Sequence, residues 1–296
     1  MYNNSSSGRP EQYLDVPYII SVLTSCICII GLVGNGIVIY LLGFHIKRSP
    51  FTAYILNLAV ADFGVLLFLC VISFLLLTHV SCFPKIVEIA VSCMYNTSQF
   101  LLTAISIHRC MSVLFPVWYR CHRPLHLSTV ICVVIWVASF LISVILDPLG
   151  HLWEFEIYSY PFVAGVALCL PLVTVSTTIL LFKIFCKSQQ PRRGRLLTII
   201  FLTLLFFLIF AFPLNAILTL IFFNSSKYAY LIIYGFVCAC PNSCVNPVIY
   251  FMVGRKKRGQ GWQGLKAILQ RAFEVKEEHR EESCTTAQVI AMTPSQ

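Results

Sequence analysis

Charge is what this chain is shortest of. Only 11% of its 296 residues are charged, against 58% hydrophobic, a balance that excludes a soluble globular domain. Acids are scarcer still inside the apolar stretches, where Asp62 is the single one lying deep in any of them. Catalytic groupings are also missing: there is no His-Glu-x-x-His, no Gly-x-Ser-x-Gly and no paired aspartates, which argues against an intramembrane enzyme. No internal repeat and no series of intramembrane charges is present, so a multi-span transporter or channel is only the alternative reading. No short apolar region with a small-residue cleavage site precedes the first apolar stretch, so no removable signal peptide is expected.

What the chain does have is long hydrophobic runs. A helix of about twenty apolar residues crosses a hydrocarbon core of roughly 30 Å, and seven such windows are read at 17–43, 51–77, 86–113, 126–149, 160–186, 195–223 and 228–253. The expected fold is therefore an all-α membrane protein, a seven-helix transmembrane bundle over 17–253. It is flanked by an external tail (1–16), an amphipathic cytoplasmic helix (254–273) and a disordered cytoplasmic tail (274–296). With Met1 outside, only Arg9, Lys85 and Lys227 of the 21 lysines and arginines are external, the bias that places the remainder on the cytoplasmic side. The net charge of +9 thus reports orientation in a cell membrane and gives no reason to expect a nucleic-acid partner.

Glycosylation sequons stand at Asn3, Asn4 and Asn224 in segments placed outside, so a glycoprotein is expected. Asn96-Thr97-Ser98 matches the same pattern mid-helix and is read as chance. Of the 14 cysteines only Cys82 falls clearly in an external loop, and Gly150 to Ser159 holds none, so disulfides are not expected to organise the fold.

Counting along helices brings several polar residues to one depth. Asp62 is eleven residues from Phe51 at the inner end of its span and Ser98 is eleven from Arg109, each about 17 Å at 1.5 Å per residue. Asn35 and Asn246 fall close to the same level, about 12 Å from Gly43 and Gly254. Asn35, Asp62, Ser98, Asn242 and Asn246 therefore form a candidate polar cluster, with sodium or a proton as the natural compensation for the carboxylate. The plainer alternative is a protonated Asp62 bonded to Asn35 and Asn246. No structural metal and no cofactor is expected apart from that sodium ion.

The inner end of the third span reads Ser106-Ile107-His108-Arg109-Cys110 and leads into the basic, aromatic loop Pro116 to Pro124. The seventh span ends Asn246-Pro247-Val248-Ile249-Tyr250, where the proline permits a bend and Tyr250 can face the bundle. Gly34-Asn35, Leu58-x-x-x-Asp62, Trp136, Pro171 and Pro213 complete the set. Beyond it, Arg255 to Arg258 precede Trp262, Leu265, Ile268 and Leu269 at helical spacing, the pattern of a helix lying on an anionic inner leaflet.

Together these residues resemble the Mas and Mas-related branch of rhodopsin-like G-protein-coupled receptors. The resemblance implies a receptor that binds an extracellular peptide or small cationic amine, activates a heterotrimeric G protein, and acts in sensory or nociceptive neurons. It implies that His108, Arg109, Pro213, Pro247 and Tyr250 serve activation and coupling, and that arrestin is recruited by the tail hydroxyls once phosphorylated. A retinal protein is excluded, since Lys227 lies at the outer start of the seventh span rather than within it. Three departures stand out. His108 occupies the place of an acid that neutralises the neighbouring arginine, Phe210-Ala211-Phe212-Pro213 lacks the usual tryptophan, and Pro84 stands where many relatives of the wider class have a bridging cysteine.

For the ligand, the candidate contacts are Glu88 and Ser92 on the outer third of the third span, then Asp147, Glu154, Glu156 and Tyr158 around the fourth and fifth. Six external acids (Glu11, Asp15, Glu88, Asp147, Glu154, Glu156) face three external bases, a balance that favours a cation.

Overall fold

The computed structural model describes residues 12–46, 49–78, 85–115, 124, 126–152 and 232–254, with shorter runs at 169, 171–179, 182, 201–203, 205–206, 209–210, 216–217 and 266–269. Within these, every regular element is helical. The first span is the helix Gln12–Tyr40, which widens into a five-residue π-helical turn, Leu41–His45, closed by the Ile46 amide donating to the Leu41 carbonyl at 2.9 Å. The extra residue per turn lets the adjacent Leu41 and Leu42 both bury their side chains. This helix starts five residues earlier than hydropathy alone suggests, because once nucleated it recruits Gln12 to Val16 at little cost per residue.

The second span, Pro50–Leu77, has a sharply built start. Ser49 Oγ accepts from the Thr52 amide at 3.2 Å while Thr52 Oγ1 accepts from the Ser49 amide at 2.7 Å, and Pro50 occupies the first helical position, where its missing amide costs nothing. The third span is Lys85–Leu114, the fourth Leu127–Leu152 and the seventh Ile232–Gly254. The fourth takes up Gly150 to Leu152, residues that hydropathy assigns to the following loop, since a helix leaving hydrocarbon keeps its internal hydrogen bonds until something better replaces them.

The packing is inverted relative to a water-soluble protein. Val33, Phe74, Val134 and Phe140 are each more than half exposed, while Asn35, Asp62, Ser98 and Asn246 are buried, the distribution expected when hydrocarbon is the solvent. The second helix is the hub, packing along the first, third, fourth and seventh. One apolar cluster fills the inner half with Tyr54, Leu58, Leu101, Leu102, Ile105, Ile249, Tyr250 and, from the segment after the seventh span, Leu269. A second, built on Cys28, Leu66, Leu69, Tyr95 and Cys240, lies toward the outside.

Small residues set the closest approach. A β-carbon on Gly31 would collide with Cys244 Sγ and come within 2.7 Å of Leu66 Cδ1, and one on Gly34 would lie 3.2 Å from Pro247 Cβ. The first and seventh helices thus meet backbone to side chain at the level of Asn35.

Candidate functional site

At mid-depth the second, third and seventh helices converge on Asp62. Its side chain is fully buried. Ser98 Oγ donates to Oδ1 and Asn246 Nδ2 donates to Oδ2, both at 2.7 Å. Equal counts of eleven residues from Phe51 and Arg109 place Asp62 and Ser98 at one level, and the bond between them shows that the two helices keep that register along their inner halves. Each carboxyl oxygen thus accepts one short bond from a neutral donor, and a carboxylate offers about four acceptor positions in all.

Asn35 joins this centre indirectly. Its amide donates to the Gly31 carbonyl in its own helix and to the Ser243 carbonyl in the seventh, each at 3.0 Å. The second bond has a cause four residues away: Pro247 has no amide proton, so the Ser243 carbonyl lacks its ordinary helical donor, and Asn35 supplies one from the neighbouring helix. Both Asn35 N–H groups are therefore used by carbonyls, and the bond from Asn35 to Asp62 envisaged for a purely structural cluster does not form. Asn242 is buried at 4% exposure, and no bond from it to Asp62 is found among the described residues.

At the cytoplasmic end, Arg109 is 8% exposed and its guanidinium carbon Cζ lies 3.7 Å from the centroid of the Phe51 ring. The preceding His108 meets Tyr54 edge to face, with centroids 5.4 Å apart and planes at 68°. Tyr250, 2% exposed, packs in the same inner cluster, one turn below the Pro247 position. Farther along the second helix, Trp136 Nε1 donates to Asn57 Oδ1 at 3.0 Å and ties the fourth helix down.

The outer candidates are less gathered. Ser92 is buried and accepts a hydrogen bond from the Ser143 hydroxyl at 3.3 Å, so it sits in the seam between the third and fourth helices rather than in an open cleft. Glu88 lies in the first turn of the third-span helix and Asp147 near the outer end of the fourth; the side chains of both fall outside the described residues, as do Glu154, Glu156, Tyr158 and Pro213 entirely. Asn3, Asn4 and Asn224 are outside them too. Sequence reasoning missed Phe51, Tyr54 and Asn57. Phe51 carried a usable signal, since the count that levels Asp62 with Ser98 also levels Phe51 with Arg109.

A buried acid where three helices meet, a seventh helix with Pro241 and Pro247 inside it and an arginine at the inner mouth define a seven-transmembrane receptor. Residues 34–154 match the profile of the 7 transmembrane receptor (rhodopsin family). The human proto-oncogene Mas is 34% identical over 303 residues, spanning 97% of this chain and 92% of that protein. The mouse Mas-related G-protein coupled receptor member A4 is 38% identical over 267 residues, 83% of this chain and 84% of that protein, and the rat Mas-related G-protein coupled receptor member A is 39% identical over 263 residues, with 83% and 86% covered. The chain belongs to the Mas and Mas-related G-protein-coupled receptors, rhodopsin-like proteins of the cell membrane that cross it several times and are not enzymes.

Proposed function

We propose that this receptor binds a basic peptide or small cationic amine from outside and, on binding, activates heterotrimeric G proteins through the inner face around Arg109, in sensory neurons. The observation that carries the ligand class is the charge balance, six external acids against three external bases, which attracts and orients a cation. Glu88 is the acid placed to anchor it, about one turn below the outer end of the third-span helix. Sodium at Asp62 acts as a resting-state modulator: the buried acid and the polar oxygen of Ser98 are the groups that favour it, and an ion that prefers one state weakens whatever prefers the other. The basic helix after the seventh span lies on the anionic leaflet, and arrestin takes the phosphorylated tail.

The test is an agonist screen of basic peptides and amines against cells with a G-protein readout, followed by dose-response curves for Glu88→Gln. Potency of a basic agonist falls in the variant at equal surface expression. Unchanged potency would sink the anchor, and a receptor answering only to acidic or neutral ligands would sink the charge argument.

A further inference from the structure

The inner ends of the second and third helices meet through two ring contacts. Arg109 lays its guanidinium over the Phe51 face at 3.7 Å, and His108 sets its ring edge-on to Tyr54. Phe51 and Tyr54 are three residues apart, so they stand as neighbours on one face of the second helix, and two consecutive residues of the third helix engage them. Phe51 is 4% exposed and Tyr54 1%, so a cation on this face is largely removed from water. In such a place the negative face of an aromatic ring attracts a guanidinium appreciably more than at an open surface.

The position of the ring is over-determined. The Ser49–Thr52 capping box fixes the first turn of the second helix on either side of Phe51. The Asp62–Ser98 bond, eleven residues along both helices, fixes the register that brings Phe51 level with Arg109. His108 meanwhile cannot supply a negative charge, and the arginine still rests in a defined place.

We propose that Phe51, with Tyr54 beside it, is a positioning residue for Arg109: an aromatic clamp that holds the arginine in the resting arrangement, in the role that an acid at position 108 plays in related receptors. The proposal rests on the reading of Arg109 as the coupling residue. A clamp of this kind has its own chemistry. Its grip follows the electron density of the ring face, not the volume or hydrophobicity of the side chain.

That dependence gives a test that packing alone does not mimic. Phe51 is replaced in the full-length receptor by mono-, di- and trifluorophenylalanine, which keep the ring's shape while progressively emptying its face. Two quantities are read: the melting temperature of the purified, agonist-free receptor, and its basal nucleotide exchange on a panel of purified heterotrimeric G proteins of different α-subunit classes. The expected result is a stepwise fall in melting temperature and a rise in basal exchange of roughly two- to fivefold across the series. The same replacements at Phe74, 63% exposed on the outer surface of the bundle, move neither. A melting temperature indifferent to fluorination overturns the clamp, and one that follows fluorination while exchange stays flat overturns its role in holding the resting state. Exchange absent on every heterotrimer in every variant, with the melting trend intact, instead overturns the coupling reading of Arg109 and the proposal with it.

Discussion

Asp62 and Arg109 belong to a chain with almost no charge to spare, and the helix pair that carries them treats the two in opposite ways. The acid is gripped by two hydrogen bonds of 2.7 Å from defined directions, one on each oxygen. The arginine is covered by the face of a ring, a contact that tolerates rotation and sliding. Short directional bonds fix a group relative to three helices at once, whereas a ring face holds a cation near one helix without fixing its angle. Along one helix pair the midplane is therefore a fulcrum and the inner mouth a catch.

That contrast can be broken most severely by removing each charge. Arg109→Ala leaves the receptor at the surface but abolishes nucleotide exchange on its G protein, because the coupling group itself is gone; exchange at the wild-type level would show that coupling lies elsewhere. Asp62→Ala acts first on stability, and through the register of the second and third helices on the inner mouth as well. It leaves Ser98 Oγ and Asn246 Nδ2 without their acceptor, at about 1–3 kcal/mol for each donor left unpaired. Thermal unfolding in detergent reads the cost, and a melting temperature equal to wild type would mean that the bonds contribute nothing.

A finer test asks whether the fulcrum takes an ion. Melting in sodium chloride, compared with the same concentration of a large organic cation, is higher by roughly 2–4 °C if sodium contributes about 1 kcal/mol, and Asp62→Asn erases the difference. No difference in the wild type would leave a protonated carboxyl as the better description. The smallest effect belongs to His108→Glu, which adds a directional, charged partner to the soft end. At about 1 kcal/mol such a pair lowers basal exchange by about fivefold. Equal basal exchange, at matched expression, would mean that an acid at 108 adds nothing to the resting population.

The fold was legible because hydrocarbon demands long uninterrupted runs, and the five long helices observed coincide with five of the seven windows to within a few residues. The meeting of Asp62, Ser98 and Asn246 was legible by arithmetic, since a regular rise per residue converts sequence separation into depth. Depth is not direction, though. Counting put Asn35 at the right level, but the alternative reading that paired it with Asp62 did not foresee that Pro247 leaves the Ser243 carbonyl in need of a donor. Ser92 makes the same point: a hydroxyl on the outer third of a helix can face several neighbours, and depth alone does not say that Ser143 is one of them. Phe51 and Tyr54 did not stand out because aromatic residues on an apolar helix look like packing until a cation is found on one of them.

The bond from Asn35 to the Ser243 carbonyl has an evolutionary consequence. Its donor lies in one helix and its need arises in another, from an amide that residue 247 does not possess. Neither position is then free to drift alone: an amino acid with an ordinary amide at 247 would compete with Asn35 for the same carbonyl, and a residue without a donor at 35 would strand that carbonyl in the bundle interior. Substitutions at the two sites should be strongly non-additive, with Asn35→Ala far better tolerated in a Pro247→Ala background than beside the proline. The two residues, 212 positions apart, act as one energetic unit.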